Sequence, residues 1–392
     1  MTRRASRISS ISESIFATVT RWAVEHQAVN LGQGFPDFDG PEWIIAEAHA
    51  AMRAGKNQYA PMHGTRSFRR AVAAYQKRFY GIEWDPEDEI TVTAGATEAL
   101  FCAVLAFVEP GDEVIITEPF YDAHHADVLI AGAVPVCVTL HKPDFRFDPE
   151  AFERLVTPRT RMIILNNPDN PTGKVYTDEE LRWIADVAVR HDLLVLSDEV
   201  YEFLTYDGAR HIPLASLPGM RERTIAVSST GKTFGMTGWK IGYAMAEKGL
   251  TDAIRAVHQF ATFAVNTPGQ HAMAYALGKL EEYLPVLRTL YATKRDLLFA
   301  GLCRTPLTPH MPRGGYFLVA DIPESVAAGD IACAEHLARH AGVAVIPLSP
   351  FYASCDEGKR MLRFCFAKRD ETIREGLARL ERVPPEAWQS LA

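Results

Sequence analysis

Between residues 90 and 245 short apolar runs alternate with stretches of helical spacing, and nothing else in the chain constrains its fold as strongly. The runs lie at 89–93, 113–117, 133–138, 161–165, 193–196 and 224–228. Helices are expected at 99–108, between the second and third runs, and at 177–191. The last of these opens with Thr177-Asp-Glu-Glu180, a capping box in which each end of the motif satisfies a backbone N–H of the other. Apolar strands joined by helices give an α/β domain with a largely parallel central sheet.

The remaining chain reads differently. Helices are expected at 41–54, 67–79, 251–263 and 270–302. Beyond Pro312 the strands at 316–319, 343–346 and 361–366 mix with helices at 332–340 and 370–380, a smaller α+β unit that the N-terminal segment joins. A length of 392 residues exceeds one ordinary core. The expected division is 1–45 as an N-terminal arm and part of the small domain, 46–285 as the large domain, and 286–392 as the small C-terminal domain.

Hydrophobic residues make up 47% and charged residues 23%, a globular balance, and the formal charge of −8 argues against nucleic acid as a partner. No apolar run reaches membrane-spanning length, and the basic, serine-rich start lacks the apolar core of a secretion signal. That start is expected to form an arm lying on a partner subunit. Six scattered cysteines without a C-x-x-C pair read as mostly buried thiols in a reducing, cytoplasmic setting. Adjacent His124 and His125 cannot share a helix face, so they read as ordinary helix residues and no metal site is expected.

The run at 224–228 ends in Ser229-Thr-Gly-Lys232, and Gly238-Trp-Lys240-Ile-Gly242 follows. Small residues and glycines around a lysine present one amine in a confined space. A phosphate-binding P-loop is a poor match, because its opening glycine would fall at Ala226. The better match is a lysine that forms a Schiff base with pyridoxal phosphate. Four further segments sit where strands end. Gly95-Ala96-Thr97 opens a helix whose free N–H groups can face an anion. Tyr121 follows the second run, and Asn170-Pro-Thr-Gly173 lies in a polar loop broken by two Asn-Pro pairs. Asp198-Glu-Val-Tyr201 closes an apolar strand with an acid that needs a cationic partner.

These segments, with Arg363-Phe-Cys-Phe near the end, stand in the order used by fold-type-I aminotransferases of classes I and II, and the chain resembles that family over nearly its whole length. Asn30-Leu-Gly-Gln-Gly-Phe-Pro-Asp-Phe38, Asn57-Gln-Tyr59 and Gly238-Trp-Lys240 look most like the branch of methionine aminotransferases, glutamine transaminase K and kynurenine aminotransferases. That branch carries lysine at position 240, where many members have arginine.

The resemblance implies a fold with a mostly parallel seven-stranded sheet, a smaller α+β domain and pyridoxal 5′-phosphate as cofactor. It implies that Lys232 holds the cofactor as an aldimine and later carries a proton between the substrate α-carbon and C4′. Asp198 would pair with the pyridine nitrogen, Asn170 and Tyr201 with the phenolic oxygen, and Tyr121 would stack on the ring. Gly95, Ala96, Thr97, Ser229 and Lys240 would hold the phosphate, joined by Tyr59 from the neighbouring subunit of a homodimer. Arg363 would grip the substrate carboxylate, helped by Asn170 and by backbone at Gly34.

Two alternatives share these residues. A β-C–S lyase or a cyclopropane-carboxylate synthase would use the same fold and cofactor. A regulatory protein with a cofactor-binding domain needs a DNA-binding module ahead of it, and too little chain precedes Asn30 for one. Within amino-group transfer, the side-chain pocket is expected from Ile15-Phe16 and from the partner's stretch at 258–266. Both are apolar or aromatic without Arg or Lys. Preferred donors are then methionine, glutamine, phenylalanine or kynurenine, not aspartate.

Overall fold

The computed structural model describes residues 5–9, 11, 13–384 and 388. Residues 1–4, 10 and 12 of the expected N-terminal arm lie outside that range.

The alternating segment forms a seven-stranded sheet. Its strands are β1 (Ile90–Ala94), β2 (Glu113–Glu118), β3 (Val134–Thr139), β4 (Thr160–Asn166), β5 (Leu194–Asp198), β6 (Thr224–Ser229) and β7 (Ile241–Met245). Their order across the sheet is β1-β7-β6-β5-β4-β2-β3. Only β7 runs against its neighbours, pairing antiparallel with both β1 and β6. Residues of the central strands are buried on both faces, which is why they read as continuous apolar runs. One apolar cluster gathers Leu100, Val104, Ile116, Met162, Leu196 and Ile225 against helix Ala96–Phe107.

A second, four-stranded antiparallel sheet contains Phe317–Asp321, Met361–Cys365, Ile346–Pro347 and Thr308–Pro309. The expected single strand at 343–346 is two short ones. Val343–Ala344 pairs in parallel with Val29–Asn30, and Ile346–Pro347 pairs with the strand carrying Arg363. The chain near residue 30 is thereby stitched to the C-terminal unit, and Cys365 N–H donates to Leu31 O at 2.6 Å.

Three expectations need correction. The helix placed at 270–302 is two, Thr267–Leu277 and Leu280–Leu302, separated at Gly278 and Lys279. The helix after β1 starts at Ala96, not 99: Gly95 turns the chain at φ +77°, and Glu98, already inside the helix, accepts from the Ala94 N–H. The cysteines divide: Cys102, Cys333 and Cys365 are buried, Cys137 and Cys355 partly so, and Cys303 is exposed. The capping box at Thr177 and Glu180 is present in both directions.

Candidate active site

One cavity of about 280 Å³ opens beside the C-terminal ends of β4, β5 and β6. It is lined by Gly34, Gly95, Ala96, Thr97, Tyr121, Asn170, Asp198, Tyr201, Ser229, Lys232, Lys240 and Arg363. Segments spread over more than three hundred residues thus meet at one place. Tyr59 does not join them in this chain; it is 84% exposed, with its ring edge-on to Phe263 at 5.6 Å.

β6 delivers Lys232. Ser229 ends the strand and caps the single turn Thr230–Thr233, its Oγ accepting from Gly231 N–H at 3.2 Å. No long helix follows, as a P-loop would require. The Lys232 amine donates to the Tyr316 hydroxyl at 3.2 Å. Burial pulls its pKa down to about 8, with Asp198 pulling the other way and Lys240 and Arg363 adding to the depression. About a tenth of the amine is then neutral at pH 7, far more than an ordinary lysine offers, and the neutral form is the nucleophile.

Asp198, at the end of β5, is nearly inaccessible and faces the Nε2 of buried His124 at 3.1 Å. His124 was expected to be an ordinary helix residue. Its helix, Asp122–Ile130, instead aims it at the acid. Asn166 adds support: its amide donates to Asp198 O at 2.9 Å while its Oδ1 accepts from the Asn170 N–H at 2.7 Å. Tyr121 sits just before the His124 helix, edge-on to the imidazole at 5.5 Å, and burial raises its hydroxyl pKa to about 12.

The anion end is built from backbone. Gly95 adopts φ +77°, and no side chain caps the helix that begins at Ala96. Its first N–H groups and its dipole therefore remain for an anion. β7 packs beneath this turn so closely that a Cβ at Gly242 would stand 2.5 Å from Ala96 N. Lys240 takes the left-handed conformation, φ +54°, and its Nζ lies 3.0 Å from where a Gly95 Cβ would be.

The carboxylate end is built from Arg363, 1% exposed on a central strand of the small sheet. Its guanidinium donates to Asn170 Oδ1 at 2.8 Å and to Gly32 O at 3.0 Å, and it lies 4.1 Å above the Phe317 ring. Its Nε has no partner, and no carboxylate pairs with the side chain in this chain's salt bridges among the described residues. A buried cation so placed is a receptor for an anion. Gly34 passes this site because a Cβ there would meet the Phe317 ring at 2.8 Å.

The donor set fits pyridoxal phosphate: an amine with depressed pKa, an acid for a ring nitrogen, an uncapped helix start with a lysine for the phosphate, and a free guanidinium for a carboxylate. Three supporting residues, His124, Asn166 and Tyr316, escaped the sequence reading. Asn166 was visible beside the Asn-Pro loop, but nothing local marks the other two. His258, grouped by sequence with the side-chain pocket, is buried and bonded to Glu98 at 2.6 Å and to Met62 O at 2.8 Å. It does not line this cavity. No group of three His, Cys, Asp or Glu suited to a metal occurs among the described residues. Nor is any described helix long and apolar enough to cross a membrane.

The sequence pattern of the family described as aminotransferase class I and II matches residues 26–380. A probable N-succinyldiaminopimelate aminotransferase, DapC, of Mycobacterium tuberculosis is 44% identical over 96% of this chain and 97% of its own length. The methionine aminotransferase of Escherichia coli is 40% identical over 96% and 98% respectively. The solved structure of N-succinyldiaminopimelate aminotransferase from Mycobacterium tuberculosis superposes with a TM-score of 0.95 at 43% identity, covering 97% of this chain and all of that one. Aspartate aminotransferase from Thermus thermophilus with maleate gives 0.90 at 35% identity, covering 98% of this chain and 100% of that chain. The family uses pyridoxal phosphate. With the site geometry and these relatives together, the chain belongs to the class I and II aminotransferases and is a pyridoxal-phosphate-dependent, fold-type-I enzyme that transfers amino groups.

Proposed function

We propose that the enzyme takes the α-amino group from an apolar, sulfur-containing or aromatic amino acid, of the methionine, glutamine, phenylalanine or kynurenine type, and passes it to a 2-oxo acid. One observation carries this reading. The cavity wall beside Arg363 is aromatic, from Phe16, Phe35 and Phe317, and among the described residues the only cations lining it are Lys232, Lys240 and Arg363. Each has a task at the amine, the phosphate or the α-carboxylate. A second carboxylate on the substrate would find no cation here, and an unpaired buried charge costs several kcal/mol. An apolar side chain gains about 25 cal/mol for each Å² it buries.

When bound, the cofactor supplies an electron-withdrawing ring that accepts charge from the substrate α-carbon. The chain's residues do the rest. Asp198, held by His124, keeps a proton on the ring nitrogen. Asn170 has given its Oδ1 to Arg363, so its amide N–H groups stay available for the phenolic oxygen and the substrate carboxylate. Tyr201 donates to the same phenolic oxygen, and Tyr121 packs on the ring. The amides at Gly95, Ala96 and Thr97, with Ser229 and Lys240, fix the phosphate. Arg363 and the Gly34 backbone would orient the substrate carboxylate, and the Lys232 amine would carry the proton taken from the α-carbon. Tyr59 completes the phosphate site from the second subunit of a homodimer.

The relatives are named as aminotransferases, which supports amino-group transfer over the β-lyase alternative. Identity to the Mycobacterium tuberculosis relative supports a second reading, a succinylated diaminopimelate donor, which would need a cation from the partner subunit. A panel of kcat/KM values for methionine, phenylalanine, kynurenine, glutamine, aspartate and N-succinyldiaminopimelate decides between them. A clear preference for either of the last two overturns the apolar-pocket reading. Pyruvate release without a 2-oxo acid would favour the lyase.

The division at about residues 45 and 285 is also proposed, with the pairing of Val29–Asn30 to Val343–Ala344 as its support. Six unbonded cysteines are compatible with a cytoplasmic location.

A further inference from the structure

We propose that Tyr316 is a positioning residue for the Lys232 amine: its hydroxyl accepts a hydrogen bond from the amine while its own proton is committed to the loop that carries Gly34. The inference rests on reading Lys232 as the cofactor lysine.

The geometry sets the polarity of both bonds. Tyr316 Oη lies 2.7 Å from Gly34 O and 3.2 Å from Lys232 Nζ. A carbonyl oxygen only accepts, so the tyrosine proton points at Gly34. What the hydroxyl offers Lys232 is a lone pair. A neutral amine held through one N–H keeps its own lone pair unmasked and turned away from the tyrosine. A hydroxyl with a free proton would instead donate to that lone pair and block it.

The tyrosine is well fixed for this task. It is fully buried and begins where Gly315, at φ +67°, turns the chain into strand Phe317–Asp321. Its ring packs edge-on to Tyr201 at 5.1 Å and to Phe317 at 4.8 Å, and stacks on Tyr291 at 6.0 Å. Burial holds its hydroxyl pKa well above the ordinary range, so it stays protonated. The loop it ties down also presents Gly32 O to Arg363. One hydroxyl therefore registers the amine against the backbone that positions the carboxylate grip.

The test uses Tyr316→Phe, which keeps the ring, and Tyr291→Phe, which removes a buried hydroxyl one ring further away. In cofactor-free protein the pH dependence of Lys232 acetylation by trace acetic anhydride reports the amine's titration. The wild-type midpoint is expected near 8. Without its acceptor the ammonium form is disfavoured, so Tyr316→Phe should lower the midpoint by about one unit. In the holoenzyme the same variant should lower kcat about tenfold and raise KM for the amino donor, the latter from the loosened Gly34 loop. Tyr291→Phe should move neither. Should the Phe variant not fold, Tyr316→Leu carries the same expectations. An unmoved midpoint, or an equal shift in Tyr291→Phe, overturns the proposal. Borohydride reduction and peptide mapping of the holoenzyme separate the two readings. Cofactor on another lysine defeats the assignment of Lys232, whereas cofactor on Lys232 with an unmoved midpoint defeats the role of Tyr316 alone.

Discussion

Replacing Gly242 by alanine tests the phosphate cradle without removing a charged group. A Cβ there would stand 2.5 Å from Ala96 N and 2.9 Å from Gly95 Cα, and nearer still to the Gly95 carbonyl carbon. Comfortable contact is about 3.5 Å, so the turn must retreat by roughly 1 Å. It cannot retreat freely, because Thr93 pairs with Gly242 and Ala94 with Ile241. Overpacking of this kind costs about 1–3 kcal/mol. The groups displaced are the first amides of the helix, those proposed to hold the phosphate. A hydrogen bond to a charged group contributes about 1.5–3 kcal/mol, so losing one weakens cofactor binding by about 10- to 150-fold. Equilibrium dialysis of cofactor-free protein against pyridoxal phosphate measures this directly. Gly238→Ala is the matched control, since nothing lies within 4 Å of a Cβ at that position. It should change binding by no more than about twofold. Wild-type affinity in Gly242→Ala, or equal weakening in both variants, would refute the reasoning.

Arg363→Lys replaces a two-armed donor with a point charge, and kcat/KM for every amino donor should fall by about 10- to 100-fold while cofactor affinity holds; steady-state kinetics and dialysis check the two halves. The depressed Lys232 pKa predicts that cofactor attachment, followed by absorbance, accelerates with pH and levels off near 8 instead of near 10.5. Because the folded pKa lies below the unfolded one, the folded protein binds fewer protons between those values. This group's contribution to the stability of cofactor-free protein therefore rises with pH across that window, which denaturant midpoints will show. Phe260 is 87% exposed and Phe263 half exposed beside Tyr59, so on the proposed homodimer Phe260→Asp with Phe263→Asp should shift sedimentation to monomer and reduce activity together.

The parallel sheet was legible because buried strands are apolar on both faces and the capping box announces its helix. Most of the residues that line the cavity were legible too, because glycines, Asn-Pro pairs and a strand-terminal aspartate stand out against an apolar pattern. His124 was not, since its neighbour His125 looks the same in sequence and only the rotation of helix Asp122–Ile130 separates them. Tyr316 was hidden in an apolar run, where a tyrosine reads as packing. The break at Gly278 carries no proline, and helix formers flank it on both sides. The early start after Gly95 goes with a short-range bond from the Ala94 N–H to Glu98, which composition does not announce.

The reversed direction of β7 has a consequence for what the pocket admits. Because it returns alongside β6, the chain leaves the sheet at Ser229 and re-enters it at Ile241 on the same side, and Ser229 pairs with Gly242. Lys232 and Lys240 therefore ride on one hairpin whose two ends are locked by the ladder. On the proposed reading, the spacing between the Lys232 amine and the lysine of the phosphate site is set in part by this hairpin, and the Gly95–Thr97 amides are registered to it through the pairing of β7 with β1. On that reading, a molecule whose aldehyde and phosphate are separated by a different span would meet the amine and the cradle out of register, whatever amino acid the rest of the pocket prefers.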